Sequence, residues 1–420
     1  MKLWVRRVGA AAVALGLWGL LAACGSQTPV FKYNDFSSDP PRVSMGGRLV
    51  TSDNGSDTLS VVDLSTRQRV GSVPVGFIPV ELEGPHHLSA DPAGEFVYVN
   101  LSEAVMGSGG GPHGAHGTGT IPGYVLKLST ADGQMVGFAR VDPNPGDNTL
   151  SADGHTLYAT HYDLVKLAQA ATSGDIRKAD TNLAVVDTAT MNVKQRVPIC
   201  PLAHGVRIAG DGKTLYASCG TDEIAVVQLD TPTLSVRRVP LPGAAESWSC
   251  SNCPYALGVA PDGTVWVSSL GSSSNNGSQG GGSVDVYDPA SGAFDPARHA
   301  GVCGRALFAA FGPGPGASPD YRVYVPEQGN CGDVVHIYQP GGPGSAPVPK
   351  GDIPLPAGAC LNAHMLRISD DGKTAQLVCE GNHVGPGSLV FLDLEAQAVI
   401  ASVPLGIFPD GLVFIPAPSH

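Results

Sequence analysis

The sequence predicts an all-β protein in which seven four-stranded blades close into a ring, the architecture of a seven-bladed β-propeller. Three observations carry this prediction. The 420 residues include 55 glycines and 35 prolines but only 15% charged residues, which favours short strands and tight turns over helices. Asp-Gly pairs recur between alternating apolar runs, which is a strong hairpin signal. The hairpins return every 50–60 residues or so, roughly the length of a repeat with four strands.

Each complete repeat begins with two strands joined by a tight turn. An alternating apolar strand leads to Asp-Gly or a close variant, and a second alternating strand follows. Such hairpins are 85-PHHLSADPAGEFVYV, 147-DNTLSADGHTLYAT, 203-AHGVRIAGDGKTLYAS, 254-PYALGVAPDGTVWVS and 363-AHMLRISDDGKTAQLV. A divergent copy with a longer turn, 305-RALFAAFGPGPGASPDYRVYV, is the sixth complete unit.

The second half of each repeat supplies the outer strands. A third strand follows the hairpin, as in 182-NLAVVDTATMN and 223-EIAVVQLDTPT, and a fourth strand closes the unit, as in 398-AVIASVPLG. One blade carries an insertion between its second and third strands, and the stretch 163-DLVKLAQAA within it predicts a short helix.

The two ends of the chain supply the seventh blade. The C-terminal 409-PDGLVFIPAP predicts a first strand with nothing after it, whereas the N-terminal 46-GGRLVTSDNGSDTLSVVDL predicts second and third strands with no first strand before them. We therefore expect the two ends to pair in one blade, which closes the ring and leaves no open sheet edge. The predicted propeller domain spans residues 43–420.

The repeat resembles a known family. Segments such as 57-DTLSVVDLSTRQRVGSVPVG are similar to the YVTN-type β-propeller repeat, and the similarity covers nearly the whole chain after the tether. The resemblance implies the fold. It does not imply one activity, because propellers of this kind serve as surface, binding and occasionally enzymatic domains.

The N-terminus predicts export and lipid anchoring. A basic start and the apolar run 8-VGAAAVALGLWGLLAA form a signal peptide over residues 1–23. The Leu-Ala-Ala-Cys stretch that ends at Cys24 resembles the bacterial lipobox, which implies a lipidated Cys24 and a membrane contact through the lipid. The lack of Asp after Cys24 favours the outer membrane of the bacterial cell envelope. Residues 24–42 then form the lipidated cysteine and a flexible polar tether. The alternative is a plain secretory signal with a chance cysteine.

The remaining eight cysteines predict four disulfides, because exported proteins fold in an oxidising compartment. Two pairs share a spacing of 19 residues and a third pair brackets a longer segment. A CxxC completes the set, and it lacks the second CxxC of a zinc site. The predicted bonds are Cys200–Cys219, Cys250–Cys253, Cys303–Cys331 and Cys360–Cys379.

Several histidines fall at matching places, immediately before or at the start of the first strands, which line the central channel of a propeller. Imidazole is the commonest protein ligand for zinc and copper. We expect His87, His204 and His364 to approach one point near the axis, with Asp410 as a fourth ligand and His86 beside them. The full set at matching positions is His86, His87, Asn148, His204, Tyr255, Arg305, His364 and Asp410, with Asn148, Tyr255 and Arg305 as channel-lining residues. The sequence assigns no definite cofactor, and zinc, copper and calcium are the candidate ions for this point.

The histidine set loosely resembles that of nitrous-oxide reductase, whose propeller holds a histidine-ligated copper cluster. The chain lacks the copper domain through which electrons enter that enzyme, so the resemblance does not imply its activity. The alternative is that these histidines are solvated polar residues around a water-filled channel.

The rest of the sequence limits the function. A net charge of −12 and an isoelectric point of 5.4 argue against a nucleic-acid partner. No phosphate-binding glycine loop, HExxH or GxSxG occurs, so no catalytic residue is assigned. We expect a monomeric, non-catalytic module that binds a protein, glycan or small ligand through the histidine-rich face. The alternatives are a metal-dependent enzyme, of lactonase or redox type, and a structural component of the envelope.

Overall fold

A computed structural model describes most of the chain beyond the tether. The described residues are 42–77, 82–103, 117–231, 233–244, 250–271, 281–314, 320–329, 331–356 and 358–417, without the side chain of residue 176. The predicted signal peptide, Cys24 and nearly all of the tether lie outside the described residues. No helix within these ranges is long and apolar enough to cross a membrane.

The strands form seven sheets, each of which is one blade that runs from an innermost strand near the axis to an outermost strand at the periphery. From the inside outward, the first blade contains β29 (Pro409–Phe414), β1 (Leu49–Asp53), β2 (Thr58–Asp63) and β3 (Gln68–Pro74). The second contains β4 (Pro85–Ala90), β5 (Phe96–Leu101), β6 (Tyr124–Ser129) and β7 (Met135–Arg140). The third contains β8 (Pro145–Leu150), β9 (Thr156–His161), β10 (Asp180–Asp187) and β11 (Asn192–Pro201).

The other four blades repeat this arrangement. The fourth contains β12 (Ala203–Ile208), β13 (Thr214–Cys219), β14 (Glu223–Gln228) and β15 (Ser235–Pro240). The fifth contains β16 (Pro254–Val259), β17 (Val265–Ser269), β18 (Ser283–Asp288) and β19 (Ala293–Gly301). The sixth contains β20 (Arg305–Ala306), β21 (Ala310–Pro313), β22 (Tyr321–Gln328), β23 (Val334–Gln339) and β24 (Val348–Pro354). The seventh contains β25 (Ala363–Ile368), β26 (Thr374–Cys379), β27 (Pro386–Asp393) and β28 (Ala398–Ile407).

The predicted fold class and ring closure are confirmed. Strand β29 pairs antiparallel with β1, with Leu49 opposite Phe414 and Val50 opposite Val413. The C-terminal strand is thus the innermost strand of a blade whose other three strands come from the N-terminal end. The sixth blade departs from the pattern, because its innermost strand is broken into β20 and β21, which both pair with β22.

The predicted short helix is present as α1 (Leu164–Ser173). Asp163 caps its N-terminus by accepting a hydrogen bond from the backbone N–H of Lys166 at 2.8 Å, and Gly174 ends it in the left-handed conformation. Two 3-10 turns, Asn54–Ser56 and Ile176–Ala179, complete the helical structure of the described residues.

The hydrophobic core lies between neighbouring blades. Val61 of the first blade and Val97 and Leu126 of the second are fully or almost fully buried in one shared cluster. Similar clusters occupy other interfaces around the ring, such as that between the third and fourth blades. Burial falls toward the periphery, so the outermost strand β7 is mostly exposed whereas the first half of β4 is buried. The inner residues are therefore the ones that the packing holds most tightly.

The four disulfides are present in the predicted pairing: Cys200–Cys219, Cys250–Cys253, Cys303–Cys331 and Cys360–Cys379. Cys200 lies near the end of β11, the outermost strand of the third blade, whereas Cys219 ends the second strand of the fourth. This bond therefore joins two adjacent blades.

Candidate metal centre

A shared irregularity in the innermost strands shapes the site. In six blades the register between the first and second strands shifts one to three residues after the first strand begins, as in a β-bulge. The predicted histidines therefore lie inside strands rather than in the loops that precede them. The second residues of β4, β8, β12, β16, β25 and β29 are His86, Gly146, His204, Tyr255, His364 and Asp410.

The bulge changes which histidine of the adjacent pair matches the other blades. His86, not His87, occupies the strand position of His204 and His364, and His87 is the next residue. Because the bulge interrupts the alternation of side chains, both members of the pair turn toward the axis.

Three imidazoles meet at this point. One nitrogen of each of His86, His87 and His204 lies within 4.8 Å of the others. The Nε2 atoms of His86 and His204 are 3.0 Å apart, and the ring of His87 is centred 4.3 Å from His86 and 5.0 Å from His204. We call these three residues the histidine cluster.

The partners of the Nδ1 atoms assign the tautomers of two rings. Nδ1 of His86 lies 2.5 Å from Oδ2 of Asp410, and Nδ1 of His204 lies 3.1 Å from the backbone oxygen of Tyr255. A ring nitrogen beside an oxygen acceptor carries the proton, so in the neutral rings both Nε2 atoms carry lone pairs. Two lone pairs therefore face each other at 3.0 Å, an arrangement that a cation between them would stabilise.

His87 adds a third nitrogen. Its Nδ1 is 3.8 Å from Oδ1 of Asp147, and its Nε2 has no hydrogen-bond partner within the described part of the chain. The side chain is 1% exposed. A buried nitrogen without a partner costs free energy, and a metal ion would remove that cost.

Burial holds the rings of His86 and His87 in the neutral form that binds metals. Desolvation lowers the pKa of His86 well below its usual value, and His364 nearby adds to the effect. Desolvation also lowers the pKa of His87 well below the usual range, with further contributions from His86 and His204. Protons therefore compete for these nitrogens only at a more acidic pH than they do for a free imidazole.

His364 and Asp410, predicted as ligands, lie beside the cluster rather than within the group of three. Nδ1 of His364 is 3.0 Å from the backbone oxygen of Asp410, and its ring is centred 6.0 Å from that of His87. Desolvation lowers the pKa of His364 to about 4. Asp410 contacts His86 and also accepts from Ser52 at 2.9 Å and from Asn54. Its carboxylate thus orients a candidate ligand, a common role for a carboxylate near a metal site.

The three predicted channel-lining residues occupy different layers. Tyr255 is buried and stacks on His204, with ring centres 3.7 Å apart. Arg305 is partly exposed and donates from Nη1 to Oε1 of Gln328 at 3.2 Å. Asn148 lies two residues further along its strand than the histidines do and donates from Nδ2 to the backbone oxygen of His87 at 3.3 Å. Of these contacts, the stacking of Tyr255 on His204 is the one that involves a ring of the cluster.

The sequence interpretation missed two buried acidic residues near the cluster, Asp147 and Glu380. Desolvation raises the pKa of Asp147, although Arg207 beside it acts in the opposite direction. Glu380 is fully buried, contacts His383 at 2.7 Å and lies 3.9 Å from Nδ1 of His364. Desolvation raises its pKa as well. The position of Glu380 in the sequence could have identified it, because Glu380 directly follows the second strand of its blade. That place is level with the second residues of the innermost strands, which we call the histidine layer.

A missing side chain at Gly146 permits the contact between blades two and four. Gly146 holds the third blade's place in the histidine layer, and a Cβ there would lie 3.3 Å from Cδ2 of His204. With no side chain in between, His204 reaches across the third blade to His86.

The donor set fits zinc or copper. Both ions take imidazole nitrogen, and zinc–nitrogen distances of about 2.0–2.1 Å place two ligand nitrogens roughly 3–4 Å apart. The 3.0 Å between His86 and His204 lies near the lower end of that range. Calcium, also among the predicted ions, takes oxygen ligands and does not suit three imidazoles.

Comparisons with known proteins support the fold. No protein-family model matches the chain, and no curated protein sequence matches it. The chain is similar in structure to hydrazine synthase of Kuenenia stuttgartiensis, with a TM-score of 0.56 and 18% identity over 80% of this chain and 92% of that one. A putative 6-phosphogluconolactonase of Bacteroides uniformis has a TM-score of 0.58 and 14% identity over 88% of this chain and 99% of that one.

A functionally unknown protein from Desulfotomaculum acetoxidans has a TM-score of 0.61 and 10% identity over 89% of this chain and 100% of that one. At these identities the likeness shows a shared propeller fold and carries no activity to this chain. The similarity to the YVTN-type repeat stays a prediction at the level of the family.

Proposed function

We propose that this chain is an exported metal-binding protein that holds one zinc or copper ion between His86, His87 and His204 on the propeller axis. The observation that carries the proposal is the 3.0 Å approach of the Nε2 atoms of His86 and His204, whose Nδ1 atoms each lie beside an oxygen acceptor. In the neutral rings, two lone pairs at this distance repel each other. A proton shared between the nitrogens would relieve that repulsion, but it would make the pair positively charged, and burial opposes protonation of His86. A metal ion at this point would bind both nitrogens and take His87 as a third ligand.

The surrounding residues support this role. Asp410 and the backbone oxygen of Tyr255 hold the two Nδ1 atoms, which points both Nε2 atoms at the same place. Such outer contacts fix ring orientation and raise the basicity of the ligands. The sequence alternative, solvated histidines around a wet channel, fits poorly with side chains that are 1% exposed.

Burial also narrows the class of ligand. The sequence predicted a protein, glycan or small ligand bound by a histidine-rich face. The cluster histidines are almost completely shielded from solvent, so a macromolecule bound at the surface cannot touch them. An ion is the ligand that their burial favours.

Metal content tests the proposal. Protein purified without chelators and analysed by mass spectrometry should hold one zinc or copper ion per chain, and His204→Ala should lose it. His161→Ala is the matched control, because His161 is also buried but its Nδ1 contacts the backbone oxygen of Asn182 away from the cluster. A wild-type protein that stays metal-free after incubation with either ion would refute the proposal.

An enzymatic use of the same ion is the second candidate. It is the lactonase-type alternative of the sequence analysis, and two putative 6-phosphogluconolactonases that share the fold make a sugar lactone the first substrate to test. Hydrolysis of a sugar lactone by the wild type that is lost in His204→Ala would support this candidate. Equal turnover by both proteins would leave metal binding as the function and exclude the cluster from the reaction.

We further propose that Cys24 carries a lipid that anchors the protein in the bacterial cell envelope, at the outer membrane. The support is the Leu-Ala-Ala-Cys stretch and the short apolar run before it. Cys24→Ser should give an unprocessed precursor or a soluble protein in detergent partitioning. A processed Cys24→Ser chain that still enters the detergent phase would contradict the anchor.

A further inference from the structure

A cavity of about 450 Å³ occupies the channel on the hairpin-turn side of the histidine layer. Its floor includes Leu88, Asp147 and Met365, which follow the histidine-layer positions of their strands by one or two residues. Its walls come from the later residues of the innermost strands and from the turns after β4 and β8. At about 3.3 Å per strand residue, this floor lies within one or two residue steps of the histidine cluster. We call it the axial cavity.

The lining of the axial cavity combines apolar and polar side chains. Leu150, Leu412 and Phe414 supply apolar surface, and Thr149 and Ser151 supply hydroxyl groups. The volume falls in the range of small-molecule sites, which are mostly apolar with a small number of orienting polar groups. The size and polarity fit a small organic molecule rather than a single ion.

Arg207 is the positively charged residue of the lining, and part of its guanidinium is uncommitted. Its Nη1 donates to Oδ2 of Asp147 and to the backbone oxygen of Val206, both at 2.5 Å. No described residue accepts a hydrogen bond from its Nε or Nη2. These two groups form the edge of a guanidinium that binds a carboxylate through two parallel hydrogen bonds. The side chain is 26% exposed.

The charges around Arg207 favour a singly charged partner. Asp147, which is 3% exposed, pairs with the guanidinium, and Asp91 also lines the cavity. A doubly charged phosphate would meet these two carboxylates, whereas one carboxylate with an apolar body matches both the uncommitted edge and the walls. We propose that the axial cavity binds a small organic carboxylate, with its carboxylate on Nε and Nη2 of Arg207 and its apolar part against Leu150, Leu412 and Phe414.

The seventh blade provides an internal comparison. Arg367 occupies the same position in 363-AHMLRI as Arg207 does in 203-AHGVRI. Its Nη1 donates to Gln376 at 3.1 Å and its Nη2 to Asp370 at 2.6 Å, and its guanidinium lies 4.7 Å from the ring centre of Phe414. Arg367 is not among the residues that line the cavity. The two equivalent arginines thus differ: Arg207 keeps its Nε and Nη2 donors for a ligand, whereas Arg367 uses both of its Nη atoms within the protein.

Matched pairs of probes test the proposal. Benzoate, 3-phenylpropionate and hexanoate, each beside its primary amide, are titrated into the purified protein by calorimetry. At least one carboxylate should bind about 10-fold or more tightly than its amide, because hydrogen bonds to charged groups are worth more than neutral ones. The double variant Arg207→Met/Asp147→Asn should lose this preference without leaving a buried carboxylate unpaired. Asp147→Asn alone should strengthen the preference, because it removes a carboxylate beside the ligand's charge and leaves Arg207 in place, and Arg367→Met should leave it unchanged.

Three results would overturn the proposal. These are the absence of binding by all three carboxylates, equal binding of each carboxylate and its amide, and a preference that survives in the double variant. Tighter binding of phenyl phosphate than of every carboxylate would also overturn the assignment of a carboxylate as the ligand class.

The titrations are repeated after treatment with a chelator. Carboxylate binding that persists there supports the cavity independently of the metal proposal, and binding that disappears on chelation would contradict a site built on Arg207.

Discussion

At the scale of single residues, His86 has the decisive position because its two ring nitrogens contact different groups. Asp410 lies at Nδ1 and His204 at Nε2. The carboxylate therefore fixes the nitrogen on which the proton sits, and through it the direction of the lone pair. The contact between Asp410 and His86 results from closure of the ring, since the two residues lie 324 positions apart in the sequence. The site thus depends on a contact between opposite ends of the chain.

Asp410→Asn tests this orienting role. The amide keeps the size of the side chain but removes its charge, so it holds Nδ1–H of His86 more weakly. We expect zinc affinity to fall about 10–100-fold, the usual effect of losing such a carboxylate. Competition with a chromogenic chelator measures the change. Ser52→Ala is the control, because it removes the hydrogen bond that Ser52 donates to Oδ1 and leaves the contact of Oδ2 with His86. Unchanged affinity in Asp410→Asn would contradict the role.

His336 gives a pH dependence that does not involve the cluster. Burial lowers its pKa, but hydrogen bonds to Glu327 at 2.6 Å and Asp352 at 2.8 Å outweigh burial, and the net pKa is raised. A raised folded-state pKa means that the stabilisation is fully present below the unfolded value of about 6.5 and is lost as pH rises through the folded value.

His336→Gln should therefore destabilise the protein more at acidic than at alkaline pH. Urea unfolding at about pH 5.5 and about pH 8.5 brackets the titration of an unfolded histidine. The difference in unfolding free energy between wild type and variant should be larger at the lower pH. Groups that do not contact His336 titrate alike in both proteins and cancel in this difference. A difference that grows with pH would have the wrong sign for the assigned contacts.

At the scale of elements, the close approach of innermost strands limits which residues fit near the axis. A Cβ at Gly205 would lie 2.7 Å from Cα of Ala256 and 3.0 Å from the backbone nitrogen of Leu257. These are backbone atoms of the next blade, so no side-chain rotation can make room. Glycine at this position lets β12 and β16 pack closely, which brings Tyr255 onto the ring of His204.

Gly205→Ala should lower the free energy of unfolding by about 1–3 kcal/mol, the usual cost of overpacking. Gly210→Ala is the control, because a Cβ there meets no atom within 4 Å. Guanidinium unfolding followed by tryptophan fluorescence compares the two variants. Equal stability of both would show that the neighbouring strand moves away without cost.

The elements that sequence predicts are those with local causes. Asp-Gly turns such as Asp211-Gly212 specify hairpins through the left-handed glycine, and apolar alternation specifies their buried faces. The bulge after Pro85 has no such local signal, since it arises from how inner strands pack around the axis. The sequence could therefore bring the histidines to the axis but not decide whether His86 or His87 matches His204. The break between β20 and β21 also lacked a clear signal.

At the scale of the whole molecule, the ring is closed by hydrogen bonds between the chain ends. Ile415 and Arg48 are paired by a backbone hydrogen bond of 2.9 Å, and Gly47 donates to Ile415 at 3.0 Å. The C-terminal segment that contains β29 buries Leu412 and Ile415 and carries Asp410 to the cluster. Loss of this strand would open the ring and remove the residue that orients His86, so stability and metal binding are expected to fail together.

Truncation after Leu405 removes β29 and exposes the inner edge of β1, so we expect aggregation or loss of the cooperative unfolding transition. A chain that ends at Ala417 is the control, because it keeps β29.

A circular permutant distinguishes the loss of the strand from the loss of its connection to the chain. In it, residues 406–417 precede residue 42 through a flexible glycine-serine linker, which restores β29 beside β1 as a covalently linked hairpin. Calorimetry should show one cooperative transition and bound metal for the permutant and for the control. A truncated chain that unfolds as cooperatively as the control would show that the first blade does not need its innermost strand, and a permutant that fails to fold would show that pairing alone does not close the ring.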